Sequence, residues 1–184
     1  MSALHGELIR LRARQESDTA TLHVELHDDV HTSVRAGRAP WRPVPPDVQR
    51  SQYRPIESNA AQASFAVVEL ATDRLAGTAG LWGIDAHNRS AHLGLSLRPL
   101  CRGKGLGTDI VHVLCYYGFT VLGLHRLQID TLADNHAMIT AAERAGFTRE
   151  TRIRQCAWAL GGFVDEIVLG LLAGDWKAAH DSAG

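Results

Sequence analysis

The 184-residue sequence has little of what marks secreted, membrane-spanning or nucleic-acid-binding chains. Its three cysteines (Cys101, Cys115 and Cys156) are widely spaced, and none forms a CxxC pair. Neither a disulfide framework nor a zinc knuckle is therefore expected. No uncharged apolar run approaches the roughly eighteen residues of a membrane helix. The opening "MSALHGELIRLRARQE" lacks the apolar stretch of a signal peptide, so a cytoplasmic location is expected, with no membrane partner. Neither charge dominates: 19 Lys and Arg face 20 Asp and Glu. A broad positive field for DNA or RNA is thus absent, and no nucleic-acid partner is expected. Internal repeats and low-complexity tracts are absent too. What remains is an ordinary globular composition, 45% hydrophobic and 21% charged. It is read as one domain over residues 1–184.

The local patterns predict a mixed fold. "ELIRLR" (Glu7–Arg12) alternates as a strand, and "ESDTATLHVELHDD" reads as a helix with Ser17 or Asp18 as its cap. The stretch Arg35–Asp47 holds four of the six prolines and is irregular, with a short helix expected from Asp47 and limited by Pro55. Ser64–Leu70, Leu75–Ile84 and Ala91–Pro99 follow as three strands. A helix is expected from about Leu106 to Leu122, then a strand at "HRLQIDTL" and a helix at "NHAMITAAERAGF" closed by Gly146. The last stretch predicts a long hairpin turning at Gly161–Gly162. The order β-α-α-β-β-β-α-β-α-β-β makes an α/β (α+β) domain, with one βαβ unit from Ala91 to Thr131.

The chemistry concentrates in "LRPLCRGKGLGTDIVHVL", Leu97–Leu114. Gly103, Gly105 and Gly107, with Arg102 and Lys104, stand directly before a helix. First-turn N–H groups lack intrahelical partners and the macrodipole adds partial positive charge, so such a loop suits a phosphate. Two common phosphate loops fail on spacing. A P-loop needs Ser or Thr after its lysine, but Lys104 is followed by Gly105. The dinucleotide fingerprint needs a third glycine three positions after the second, whereas Gly107 is two after Gly105. The arrangement that fits is Arg-x-x-Gly-x-Gly, filled by Arg102, Gly105 and Gly107.

This loop after a strand, followed by a helix, a strand and the "N…GF" helix of Asn135, Gly146 and Phe147, resembles the GNAT N-acetyltransferase superfamily. "GELIRLR", "LHRLQI" and the closing "VDEIVLGLL" with "DW" are similar to its ribosomal-protein N-terminal, RimJ/RimL-like branch. The resemblance implies a GNAT-like domain: a mixed sheet of about seven strands flanked by helices, whose fourth and fifth strands splay to hold acyl-CoA. It implies an acyl-CoA-dependent N-acetyltransferase that uses acetyl-CoA as co-substrate and no metal. The acceptor would be a primary amine, either a protein N-terminus or a small molecule, attacking directly through a tetrahedral intermediate. Backbone N–H groups of Gly103, Lys104, Gly105, Leu106, Gly107 and Thr108, beside Arg102, would hold the pyrophosphate. Leu95, Ser96 and Leu97 would lie along the pantetheine arm. The family strand carries a bulge, for which Gly94 is the expected position.

Acyl transfer needs a neutral amine, support for the oxyanion, and an exit for the thiolate. The backbone N–H of Leu95 is the expected oxyanion donor. His92, which alternation places with Gly94 on the strand face opposite Ala91, Leu93, Leu95 and Leu97, is the candidate base. The family's tyrosine acid is matched by Ala142, and the branch's serine by Met138. Water ordered by Asn135 is then the expected proton source for a thiolate whose acid has a pKa of about 8.5. Trp41, Trp82 and Asp85 are assigned to the acceptor pocket, with Glu69 and Asp165 as carboxylates that either attract an amine or face solvent. His23 and His27 stand four apart on one helix face. Their order is H-x-E-x-H rather than H-E-x-x-H, and no third ligand is suggested, so no metal is assigned. Three alternatives stay open. Arg35, Arg38 and Arg42 leave room for succinyl-CoA as donor. The missing acid leaves room for a non-catalytic acyl-CoA-binding or regulatory module. The closing hairpin is suited to a homodimer.

Overall fold

Seven strands form one continuous sheet in the order β1-β2-β3-β4-β5-β7-β6. The computed structural model describes residues 4–37, 39–44, 50–56 and 59–181. Strands β1 (Ile9–Arg12), β2 (Gln62–Glu69), β3 (Arg74–Asp85) and β4 (Ser90–Leu97) run as an antiparallel series. β5 (Arg126–Leu132) pairs parallel with β4, and the hairpin β6 (Thr148–Ala159) and β7 (Gly162–Leu172) completes the sheet through β7. The mixed sheet and its seven strands agree with the fold class read from the sequence.

The helices are α1 (Glu16–Leu22), α2 (Val30–Ala36), α3 (Leu106–Tyr116), α4 (His136–Arg144) and α5 (Ala173–Asp181). α3 is the crossover between β4 and β5, and it packs against α4, β4 and β1. Its Leu106, Ile110, Val111 and Leu114 meet Leu93 of β4 and Leu127 and Ile129 of β5 in the main core. These strand residues alternate with half-exposed ones, as period-two burial requires. α1 lies against β3 and closes a second, smaller core of Leu22, Leu26 and Tyr53 with Leu75.

Several elements depart from the sequence reading. The first helix was expected to run unbroken through Asp29. Instead α1 continues as a wide turn, His23–His27, in which the Asp28 N–H bonds the His23 carbonyl. Asp29 then caps α2, with its side chain accepting from the Thr32 N–H. The α1 cap is Gln15; Asp18 is its third helical residue, whose carboxylate accepts the Gln15 N–H. A second wide turn, Tyr117–Val121, closes α3. α5 has no counterpart in the sequence reading. Its Trp176 ring rests 5.5 Å from Phe119, an anchor that appears only in three dimensions. The start of the helix expected from Asp47 lies outside the described residues, as does Arg38, and residues 50–56, where it would continue towards Pro55, form turns instead. No helix of the described residues is long and apolar enough to cross a membrane.

Candidate active site

β4 and β5 pair through only three residue couples, ending at His92↔Gln128. Beyond that point β4 keeps pairing with β3 as far as Leu97, and β5 keeps pairing with β7. The two strands therefore part in the middle of the sheet, as the family resemblance implied. Leu95, Ser96 and Leu97 are left without a strand partner on the β5 side, and all three are half-buried. On that side the strand edge can pair with the amides of an extended ligand arm, with the Leu97 carbonyl already accepting from Arg102.

The glycine loop follows. Gly103 has φ +74° and Gly105 φ +81°, values at which a Cβ is strained. Gly105 is the N-cap of α3 and supplies no side chain to cover the first-turn N–H groups. Around Gly103 no atom lies within 4 Å of where a Cβ would stand. An open, uncapped helix start of this kind fits a pyrophosphate. The two cations brace the loop. Arg102 donates through Nε to the Leu97 carbonyl (3.0 Å) and through Nη2 to Thr32 Oγ1 (3.1 Å). Lys104 Nζ lies 3.2 Å from Glu69 Oε1. Glu69 also accepts from the Thr72 hydroxyl, and these two partners hold its carboxyl below the usual range. Glu69 thus serves the loop and not an acceptor amine.

At the point where the strands part, four side chains meet on the sheet face opposite α3. His92 Nδ1 is 2.6 Å from Asp130 Oδ2 on β5. Asp130 Oδ1 accepts from Gln128 Nε2 at 2.9 Å, and Gln128 Oε1 accepts from Arg126 Nη2 at 3.2 Å. Arg126 in turn forms a two-pronged pair with Glu150 of β6. The indole of Trp82 stacks on the His92 ring, with centroids 5.9 Å apart and planes 17° from parallel. The Asp130 side chain is only 11% exposed, whereas that of His92 is 39% exposed. A nearly buried carboxylate thus holds Nδ1 of a ring that is itself half-exposed.

Gly94 has a different role from the one expected. The β3–β4 register runs without a break from Gly77↔Leu97 to Trp82↔His92, and the irregularity falls at Gly83 and Ile84 of β3. A Cβ at Gly94 would stand 2.7 Å from the Trp82 ring, so the glycine makes room for the indole over His92.

Other expected site residues sit elsewhere. Trp41 donates its indole N–H to the His27 carbonyl (2.8 Å) and packs beside His27, away from the Trp82–His92 stack. Asp85 closes its own turn, accepting the N–H groups of His87 and Asn88 at 2.8 and 2.9 Å. The Asn88 bonds, backbone first, hold that carboxyl low. Asn135 caps α4: Oδ1 accepts from the Met138 N–H (3.3 Å) and Nδ2 donates to Thr131 Oγ1 (3.0 Å). Asp165 pairs with Arg152, and Arg35 forms a two-pronged pair with Asp134. Arg35 therefore does not offer a loose cation to an acidic acyl group. Ala142 is fully buried, and burial pushes the Cys115 thiol up, which leaves it an inert packing group.

Asp130 is the functional candidate that the sequence reading missed. The signal was available: an aspartate, depleted in strands, stands in the alternation Arg126, Gln128, Asp130 on the strand beside His92. Its meaning depends on a register that only pairing supplies.

The split between β4 and β5 and the uncapped glycine loop at the head of the crossover helix are the features expected of an acyl-CoA-dependent transferase. Residues 9–148 match the family model described as an acetyltransferase (GNAT) domain. The chain belongs to the GNAT acetyltransferase family, and with it to the acetyl-CoA-dependent N-acetyltransferases. It is 28% identical over 173 residues to an uncharacterised N-acetyltransferase, p20, of Bacillus licheniformis, covering 94% of this chain and 97% of that one. It is 31% identical over 126 residues to the probable N-acetyltransferase YjcK of Bacillus subtilis (strain 168), covering 68% and 70%. Among solved structures, the fold is shared with a spermidine N-acetyltransferase from Vibrio cholerae in complex with CoA and spermine. That match has a TM-score of 0.79 at 22% identity, over 92% of this chain and 98% of that one.

Proposed function

We propose that this protein acetylates a primary amine of a small cationic acceptor of the polyamine class, with His92 as general base positioned by Asp130. The observation that carries the reading is the 2.6 Å contact between His92 Nδ1 and Asp130 Oδ2 at the last paired residue of β4. Relatives named spermidine N(1)-acetyltransferase, such as the Vibrio cholerae protein at 28% identity over 54% of this chain, support the acceptor class.

Acetyl-CoA supplies the activated acetyl group as a thioester. The N–H groups from Gly103 to Thr108 hold its pyrophosphate, and the free edge of Leu95, Ser96 and Leu97 pairs with the pantetheine arm. The Leu95 N–H faces the developing oxyanion. Asp130 accepts the Nδ1–H of His92, which leaves Nε2 with a lone pair. That lone pair takes the proton from the amine as the N–C bond forms and the C–S bond breaks. The departing thiolate is protonated from solvent, by water that Asn135 at the head of α4 would order. Trp82 offers an exposed ring face to the acceptor's alkyl and ammonium groups, and Asp130 adds negative charge beneath it.

The similarity of the closing strands to the ribosomal-protein branch makes a protein N-terminal α-amine the second acceptor. A homodimer is carried by the hairpin, because β6 is an edge strand and Trp158 and Phe163 are both about three-fifths exposed at its tip.

A thiol-release assay tests the reading, pairing acetyl- and succinyl-CoA with spermidine, spermine and N-terminal peptides. The expected result is turnover with acetyl-CoA and a polyamine that exceeds turnover with any peptide. His92→Ala should lower kcat by about a hundredfold or more and leave CoA affinity unchanged. Binding of CoA without turnover on any amine would replace the enzyme reading with that of a binding module. Unchanged kcat in His92→Ala would remove this residue from the mechanism.

A further inference from the structure

The wide turn at the end of α1 gathers side chains that neither the fold nor the acetyl transfer uses. His23, His27 and Asp28 each bring one ligand atom to a common point, all three within 4.8 Å of one another. In a regular α-helix, five residues turn through about 500°, which would place Asp28 roughly 140° around the axis from His23. The turn here is widened, and the Asp28 N–H bonds the His23 carbonyl at 3.0 Å, five residues back. That bond swings Asp28 over His23 and onto the face of the two imidazoles, whose centroids are 4.7 Å apart. Such wide turns are rare and tend to mark functional positions.

The intervening glutamate is not part of the group. Glu25 points the other way and grips the Arg98 guanidinium at the end of β4. The polarity of H-x-E-x-H is thereby divided: Glu25 ties the turn to the sheet, and the buried His23 and half-buried His27 share another face with the exposed Asp28.

His23 is 5% exposed, and its Nε2 has no hydrogen-bond partner among the described residues. A buried, unpaired ring nitrogen is costly and calls for a partner. Its surroundings indicate which kind. Ser51 Oγ lies 3.0 Å from Nδ1 and already accepts the Tyr53 N–H at 3.2 Å. In the tautomer whose Nδ1–H donates to Ser51, the Nε2 lone pair and Asp28 Oδ1 face each other as two acceptors 3.3 Å apart, and a cation between them satisfies both. In the other, Nε2–H faces that carboxylate and a metal ion would displace the proton. Ser51 would play the outer role that fixes a ligating imidazole, and His27 Nε2 is held in the same way by the Arg42 carbonyl at 3.1 Å.

We propose that His23, His27 and Asp28 form a binding site for a divalent transition-metal ion of the zinc class. Two imidazoles and one carboxylate are borderline ligands that favour zinc, nickel, cobalt or copper over magnesium or calcium. Bond lengths of about 2.0–2.2 Å require the three ligand atoms to draw closer than they now stand. The half-exposed Asp28 and the half-buried His27 can close onto the fixed His23. The ion would clamp α1 to the segment of Ser51 and Tyr53, beside the smaller core. It takes no part in acyl transfer, so the proposal stands or falls separately from the acetyltransferase reading.

Untagged protein stripped with chelator and titrated with zinc chloride by calorimetry provides the test. One equivalent should bind, and cobalt chloride should give visible ligand-field bands that zinc abolishes. His27→Ala and Asp28→Asn, which leave the buried His23 in place, should each weaken zinc binding at least tenfold and remove the cobalt bands. Zinc should raise the melting temperature of the native chain and not of either variant. Cys156→Ser should bind as the native chain does. Absence of a stoichiometric zinc equivalent would overturn the proposal, as would equal affinity in His27→Ala and Asp28→Asn, or loss of the site in Cys156→Ser.

Discussion

At the residue scale, the proposed site rests on one nearly buried carboxylate and one half-exposed ring. Asp130 is placed by the β5 pleat on the same face as His92, and on the proposed mechanism their short contact would select the tautomer that leaves Nε2 ready to accept a proton. Asp130→Asn keeps size and polarity but removes the charge and offers an amide N–H to the ring. We expect kcat to fall about tenfold or more, with CoA affinity and melting temperature near native values, as read by steady-state kinetics beside calorimetry. A purely structural Asp130 would move the melting temperature and leave kcat alone. Asp18 is the structural counterpart. Burial pushes its carboxyl up, but the Arg12 fork at 2.7 and 2.8 Å and the Gln15 N–H outweigh this and hold it below its ordinary range. A folded-state value lower than the unfolded one stabilises the protein above the unfolded pKa, near about 3.9, and is lost as the pH falls through the folded value. Asp18→Asn should therefore cost roughly 1–3 kcal/mol at neutral pH. The variant should also show a flatter acid limb below about pH 4 in denaturation curves.

At the element scale, the donor site is made by what two elements leave unpaired. β4 loses its neighbour after His92, and α3 begins on a glycine that cannot cap it. The glycine is needed because Gly105 sits at φ +81°, with Leu8 Cδ1 3.7 Å from where a Cβ would lie. A valine there costs about 1–2 kcal/mol of backbone strain and turns the loop away from the pyrophosphate. Gly105→Val should weaken CoA binding at least tenfold by calorimetry while the strand core still melts cooperatively. Gly94 illustrates the same logic with a different cause. Its backbone is regular, and the missing side chain is the space that Trp82 fills.

At the scale of the whole molecule, the open edge lies on β6. Trp158 meets Phe163 edge-on at 5.0 Å, and Ile153 and Leu160 are also exposed along this hairpin. An apolar patch on an unpaired strand suits association with a second copy. The double variant Trp158→Ser, Phe163→Ser should convert a dimer to a monomer in light scattering, while a monomeric native chain would exclude this interface.

Most of the fold was legible in the sequence, since β1, β5 and the first half of β4 carry a period-two pattern and the glycine loop marks the crossover helix. The misplaced parts share a cause. The end of α1 reads as regular helix because an i, i+4 pattern does not reveal that the turn widens. Asp85 and Asn135 are named as site residues because their types suit chemistry, and only the folded chain shows that each also accepts a neighbouring backbone N–H. Trp41 and Trp82 look equivalent in sequence, and only the strand register gives Trp82 the place over His92. The sequence by itself determined the strand pattern, the glycine loop before the crossover helix and the donor class, because these depend on local periodicity and on glycine spacing. Tertiary structure alone decided the His92–Asp130 pair, the room at Gly94 and the meeting of His23, His27 and Asp28. Those contacts depend on strand register and helical pitch, where a shift of one residue or a widened turn moves a side chain to another face.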